Sequence, residues 1–175
     1  ASDNLGAAVV AAPAAEMEAA PAAESKETLL AAHMEGTVLA LANVADEAFA
    51  SGAMGKGVAI EPAMGKLYAP ADGVIETVFE TKHAVCMTTD TGAELLMHIG
   101  IDTVKLGGEH FEVHVAAQQQ VKKGDLLVSF DMDAIKAAGY PLTTPMIVCN
   151  TDDYSAFQVL TSGEVAPGAD LLKLN

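Results

Sequence analysis

The sequence predicts an all-β fold: an antiparallel β-sandwich carrying one or two short helices. Two observations carry that prediction. From about Glu35 onward, short β-rich runs recur between Gly, Asp and Pro turn signals spaced roughly every 8–12 residues, the rhythm of a sandwich or barrel. A turn-strand phrase also occurs twice, as Ala69-Pro70-Ala71-Asp72-Gly73-Val74 and as Val121-Lys122-Lys123-Gly124-Asp125-Leu126. At 175 residues the chain is long enough for one well-buried core.

Taken in order, residues 7–24 are mostly Ala, Pro and Glu, and the pattern A-A-P-A-A-E repeats around Pro13 and Pro21. Such a stretch buries too little to offset its ordering entropy, and its prolines keep it extended. Residues 1–34 are therefore expected to form a linker, with a short helix near Glu24–Ala32 as the alternative. The folded domain is expected over 35–175. Its candidate strands are Thr37–Ala42, Gly57–Ile60, Lys66–Ala69, Val74–Glu80, Ala84–Thr89, Glu94–Ile101, Phe111–Val115, Leu126–Phe130, Met146–Cys149, Phe157–Leu160 and Leu171–Leu174. One helix is expected after Phe130, with Asp131 or Asp133 as its N-cap and Gly139 closing it. The repeated turn-strand phrase is that of barrel-sandwich hybrid domains, so the sandwich is read as a duplicated hybrid motif.

Composition narrows the function. With 24 acidic against 9 basic side chains the formal charge is −15. That field repels nucleic acid and anionic lipid and favours a basic docking surface on a protein partner. No apolar stretch reaches the ~18–20 residues that span a bilayer, and Pro13 interrupts the nearest approach, Leu5–Ala15, which no basic residues precede. Membrane insertion by these residues is not expected. Cys86 and Cys149 lack C-x-x-C spacing and lie in apolar runs, so they read as two buried free thiols of a reducing compartment. Few aromatics and no Trp argue against a sugar-stacking surface.

The chemistry centres on the run Glu94–Ile101. Strand side chains alternate. Leu95, Met97, Ile99 and Ile101 form an apolar face toward the core, while Glu94, Leu96, His98 and Gly100 take the other. His98 thus points away from the core, beside a Leu96 expected to have no buried partner. Gly100 would let another backbone or protein approach closely. Geometry alone leaves open an inconsequential surface histidine. The Asp90-Thr91-Gly92 turn makes 84–89 and 94–101 a hairpin, placing His83 within a residue or two of register opposite His98, ~5 Å apart at Cβ. His110 and His114 read as polar alternation on a solvated strand; His33, at the linker, is assigned no role.

At these residues a family resemblance enters. The run Glu94-Leu95-Leu96-Met97-His98-Ile99-Gly100-Ile101-Asp102-Thr103-Val104 resembles the active-site signature of the glucose-type enzyme IIA domain of the bacterial phosphoenolpyruvate-dependent sugar phosphotransferase system. Tyr68–Gly73, Phe79–Ala84, Val121–Asp125, Phe130-Asp131 and Leu142–Pro145 fit the same family in order and spacing, so the likeness covers about Glu35 to Leu174. Ala134–Tyr140 is most similar to IIA domains fused to permeases of the β-glucoside, sucrose or trehalose kind.

The resemblance implies a phosphorylated His at His98, a helper at His83 and a hydroxyl at Thr81 that bonds the helper. It also implies an apolar docking ring at Phe49, Phe79 and Leu96, with Asp46 and Asp102 meeting basic residues of the donor. Where many relatives carry Phe near the two histidines, this chain has Leu96, Val85 and Cys86. The implied partners are HPr as donor and the IIB domain of a sugar permease as acceptor, in the cytoplasm or tethered to the inner membrane face. Sugar specificity would reside in the permease.

No cofactor is implied, and the chemistry agrees. A neutral imidazole is an adequate nucleophile near pH 7, and phosphoryl transfer is mainly positioning plus stabilisation of the equatorial oxygens. Three rivals are weaker. A lysostaphin-type zinc hydrolase would need H-x-H spacing, whereas His110 and His114 are four apart, ~13 Å along a strand. A biotinyl or lipoyl carrier would need a Met-Lys-Met or Asp-Lys-Ala hairpin tip, which is missing. A regulatory module of the same fold is compatible with the leading reading.

Overall fold

A computed structural model describes residues 27–175. Among the described residues, fourteen strands form three antiparallel sheets. The largest has eight strands in the order β13 (Gly163–Val165), β2 (Gly36–Ala40), β3 (Lys56–Pro62), β11 (Thr144–Val148), β7 (Glu94–His98), β6 (Ala84–Thr89), β5 (Gly73–Val78), β9 (Gln120–Val121). A second joins β4 (Lys66–Tyr68), β10 (Leu126–Phe130) and β8 (Phe111–Val113); a third joins β1 (Thr28–Ala31), β14 (Asp170–Leu174) and β12 (Phe157–Val159). All-β with minor helix is therefore the observed class.

The main core gathers Leu95, Met97 and Ile99 with Ile60, Ile75, Met87, Leu127, Met146 and Leu172, all essentially inaccessible. This is the apolar face expected from alternation along β7, except that Ile101, past the strand end, turns into a second cluster. The two copies of the turn-strand phrase lie against each other. Gly73 pairs with Val121, Ala69 N–H donates to Asp125 O at 2.9 Å, and Gly124 N–H returns a bond to Ala69 O at 2.9 Å. The helix α2 (Met132–Ala137) starts at Asp131, whose side chain accepts from Ala134 N–H, and ends before Gly139 at φ +96°. Of the two caps offered by the sequence, Asp131 is the one used.

The domain boundary moves. Residues 1–26 lie outside the described residues, but 28–34 belong to the folded unit rather than to a linker. Thr28–Ala31 is a strand, not a helix, paired with β14, and Leu30, Ala32 and Met34 enter the main core. A short apolar segment this local cannot reveal a partner at the far end of the chain. Two further strands, β9 and β13, are brief and polar or Gly-led, too short to show alternation.

His33 is fully buried. Its Nε2 donates to Thr144 O at 3.0 Å, while its Nδ1 has no partner among the described residues. Burial pushes its pKa down to about 4, against a smaller upward effect of the Thr144 bond. The unfolded chain, with an ordinary histidine, binds the extra proton first. This contribution to stability is present above pH ~6.5 and is lost as pH falls toward 4. Going from pH 7.5 to 5 should cost about 2 kcal/mol through His33. Urea unfolding at both pH values checks this: His33→Gln should lose less than the native chain by that amount, and equal losses would show that His33 does not titrate.

Candidate active site

Two elements bring the histidines together. In the β6–β7 hairpin, closed by Gly92 N–H donating to Thr89 O, Ala84 pairs with His98, and Ile99 N–H donates to His83 O at 2.7 Å. His83 is thus one residue out of register with His98, as the turn predicts. The rings stand edge to face, centroids 4.6 Å apart and planes at 83°.

Each ring has one nitrogen engaged. His98 Nδ1 donates to Gly100 O at 2.8 Å. A carbonyl only accepts, so the proton sits on Nδ1 and Nε2 keeps its lone pair. His83 Nδ1 lies 2.8 Å from Thr81 Oγ1, held by the tight turn in which Lys82 N–H donates to Phe79 O. When the Thr81 hydroxyl donates, Nε2 of His83 carries the N–H.

Aromatic rings flank the pair. Asp46 caps α1 (Glu47–Ala50) by accepting from Ala48 N–H at 2.8 Å, and that turn sets Phe49 over His98 at 5.0 Å. Phe79 meets His83 edge to face at 5.5 Å and is 38% exposed. Asp102 stands exposed at φ +62° just beyond Gly100. The site therefore brings together His98, His83, Thr81, Phe49 and Phe79.

Burial lowers the pKa of both histidines. His83 falls to about 4, through burial first and then the neighbouring His98, with the Thr81 backbone pulling upward. His98 is lowered by burial, offset in part by its bond to Gly100 and by Asp46 and Asp102. Both rings are consequently neutral at pH 7, the form in which one can attack and the other can donate an N–H.

Two expectations need correction. Leu96 does not lie on an open face: it packs in the second cluster with Leu41, Val44, Phe49, Ala59, Ala84, Ile101 and Ile147, because residues 41–50 fold over that side of the sheet. Phe49, expected in the same docking ring, is likewise buried in that cluster, at 4% exposure. Gly100 does admit the close approach of another backbone, that of Pro141: at φ +78° an added Cβ would sit 2.6 Å from Thr103 Cγ2 and 2.8 Å from Pro141 O. The cysteines are free as expected, but only Cys86 is half-buried and Cys149 is exposed, since β11 ends just before it. Partial desolvation raises both thiol pKa values. The part of the site invisible to pattern reasoning is the Gly100 carbonyl, a main-chain group.

His110 and His114 flank β8, in another sheet, and both are exposed; His114 Nε2 lies 2.9 Å from Ser129 Oγ. Among the described residues no three His, Cys, Asp or Glu side chains converge to hold a metal, and no helix is long and apolar enough to cross a membrane.

A family model described as phosphoenolpyruvate-dependent sugar phosphotransferase system, EIIA 1, matches residues 28–154. The chain belongs to this family. It is a phosphoryl-carrier IIA domain, acting as a phosphotransferase through a phosphohistidine. Among its relatives, the β-glucoside-specific EIIBCA component of Dickeya chrysanthemi is 48% identical over 160 residues, 91% of this chain and 25% of that protein. The glucose-specific EIIA component of Oceanobacillus iheyensis is 41% identical over 145 residues, 83% of this chain and 88% of that protein. The solved glucose permease IIA from Mycoplasma capricolum superposes with a TM-score of 0.79 at 34% identity, covering 85% of this chain and 96% of that one. The IIA domain thus spans about a quarter of the length of its EIIBCA relatives. The model's lower bound at residue 28 also agrees with β1 being part of the fold.

Proposed function

We propose that Nε2 of His98 takes the phosphoryl group from phospho-HPr and passes it to the IIB domain of a sugar permease. One observation carries this reading: the Nδ1–H···O bond to Gly100, which leaves Nε2 as the lone-pair nitrogen of a neutral ring. In the accepting step the Nε2 lone pair attacks phosphorus and the donor's N–P bond breaks. Its electron pair returns to the donor's nitrogen. The proton on Nδ1 stays, and the Gly100 carbonyl carries part of the positive charge that develops on the ring. His83, its Nδ1 held by Thr81, offers Nε2–H to an equatorial oxygen, where developing charge gains most from a fixed donor. The onward step repeats the displacement with His98 as leaving group.

Phe79, exposed beside His83, offers the apolar contact of the docking face, while Phe49 and Leu96 lie buried behind it. Asp46 and Asp102 meet basic residues of the donor, consistent with a net charge of −15. The donor and acceptor are cytoplasmic proteins or domains, so this domain works at the inner face of the membrane. The Dickeya relative's name points to a β-glucoside permease as the source of the IIB acceptor.

Incubation with phosphoenolpyruvate, enzyme I and HPr, followed by intact mass at alkaline pH, tests the reading. A gain of one phosphoryl group, about 80 Da and lost in mild acid as a phosphoramidate is, is the expected result. No gain in the presence of a working donor would overturn it. Gly100→Ala should fold less stably and accept phosphate about 100-fold more slowly, because strain at a positive φ and the clash with Thr103 and Pro141 O displace the carbonyl that orients His98. Single-turnover transfer from phospho-HPr measures it; an unimpaired rate would mean that the carbonyl orients nothing.

A further inference from the structure

His98 is oriented by a main-chain carbonyl, which raises the question of what holds that carbonyl. Beyond β7 the chain reverses through two left-handed residues, Gly100 at φ +78° and Asp102 at φ +62°. For Asp102 this conformation is costly and has to be compensated nearby. Ile99 N–H is anchored on His83 O at 2.7 Å, and Ile101 N–H donates to Pro141 O at 3.1 Å. The loop closes through one side chain. Thr103 is completely buried, and its hydroxyl donates to the Ile99 carbonyl. Its Cγ2 and Oγ1 lie 2.6 and 3.3 Å from where a Cβ on Gly100 would be, so Thr103 fills the space under Gly100.

We infer that Thr103 is a positioning residue for the phosphoryl-accepting histidine: its hydroxyl clamps the Ile99–Asp102 turn so that Gly100 O stays aimed at His98 Nδ1. Thr103 touches no reacting atom. It acts by fixing which ring nitrogen carries the proton. Loosening the turn lengthens the Nδ1–H···O bond, and part of the population then protonates Nε2, which cannot attack phosphorus. The inference rests on the proposed role of His98.

Long-range ¹⁵N spectra of the imidazoles at pH 8 read the tautomer directly, without any donor protein. The native chain should show His98 in the Nδ1–H form alone. Thr103→Val keeps the shape and removes the hydroxyl. It should show a mixture of the two forms, and kcat for phosphoryl acceptance should fall about tenfold while KM for phospho-HPr is unchanged. Thr103→Ser, which restores the hydroxyl, should restore both. A folded Thr103→Val chain that keeps either the pure Nδ1–H form or the native kcat overturns the inference. If that variant does not fold, Thr103→Ser decides: a retained Nδ1–H form with native kcat supports the clamp, and a mixed form overturns it. A native chain with the Nδ1–H form that takes up no phosphoryl group would instead sink the proposed function alone.

Discussion

His98→Ala, offered phosphoenolpyruvate, enzyme I and HPr, is expected to gain no mass, a loss of at least about 10⁴-fold in phosphoryl acceptance. The variant removes the only group in the site that is both neutral and left with a free lone pair. His83 is neutral too, but its Nδ1 is engaged by Thr81 Oγ1, and when that hydroxyl donates its Nε2 carries the proton. The fold should survive. The His98 side chain is half-buried at a strand end, its Nδ1 bonds a carbonyl of the adjacent turn, and the strand pairing of Ala84 with residue 98 is main-chain. Alkaline intact mass with a circular dichroism control measures the effect. Labelling retained by a folded His98→Ala chain would move the site elsewhere.

The second large effect belongs to His83. His83→Gln should slow passage of the phosphoryl group to the IIB domain about 10²- to 10³-fold, the range for removing one fixed donor beside developing charge. Acceptance from phospho-HPr should suffer less, because on that leg the donor protein's own groups still surround the phosphoryl oxygens. On the outward leg the group starts beside His83, whose ring, held by Thr81, stands edge to face with His98 at 4.6 Å. Glutamine keeps an N–H but loses the ring that packs edge to face on both Phe79 and His98. Quenched-flow measurement of each leg separates the two. Onward transfer at the native rate would remove His83 from the chemistry.

Much of this site could be read from one strand and one turn. Alternation along Glu94–His98 correctly sent Leu95 and Met97 to the core and His98 to the other side, and Asp90-Thr91-Gly92 set the hairpin that faces His83 toward it. The Asp131 cap likewise announced α2. What stayed hidden has a common physical origin: it depends on long-range or main-chain partners. Leu96 is buried only because residues 41–50, with a helix of a single turn, fold across the sheet. Thr28–Ala31 resembles the Ala-rich stretch before it until β14 returns to pair with it. The Gly100 carbonyl and the Thr103 hydroxyl beneath it carry no pattern at all, since a turn residue's role is set by its dihedral angles and neighbours. The second cluster also shows why the sheet's middle strands, such as β11 with every residue buried, read as continuous apolar runs rather than as alternation.

The central claim is that one nitrogen, Nε2 of His98, carries the phosphoryl group. The most direct test is ¹⁵N–³¹P coupling in the phosphorylated, histidine-¹⁵N-labelled chain. The account predicts one-bond phosphorus coupling at Nε2 of His98, with Nδ1 still protonated toward Gly100. Coupling at Nδ1, or at any nitrogen of His83, His33, His110 or His114, would contradict it.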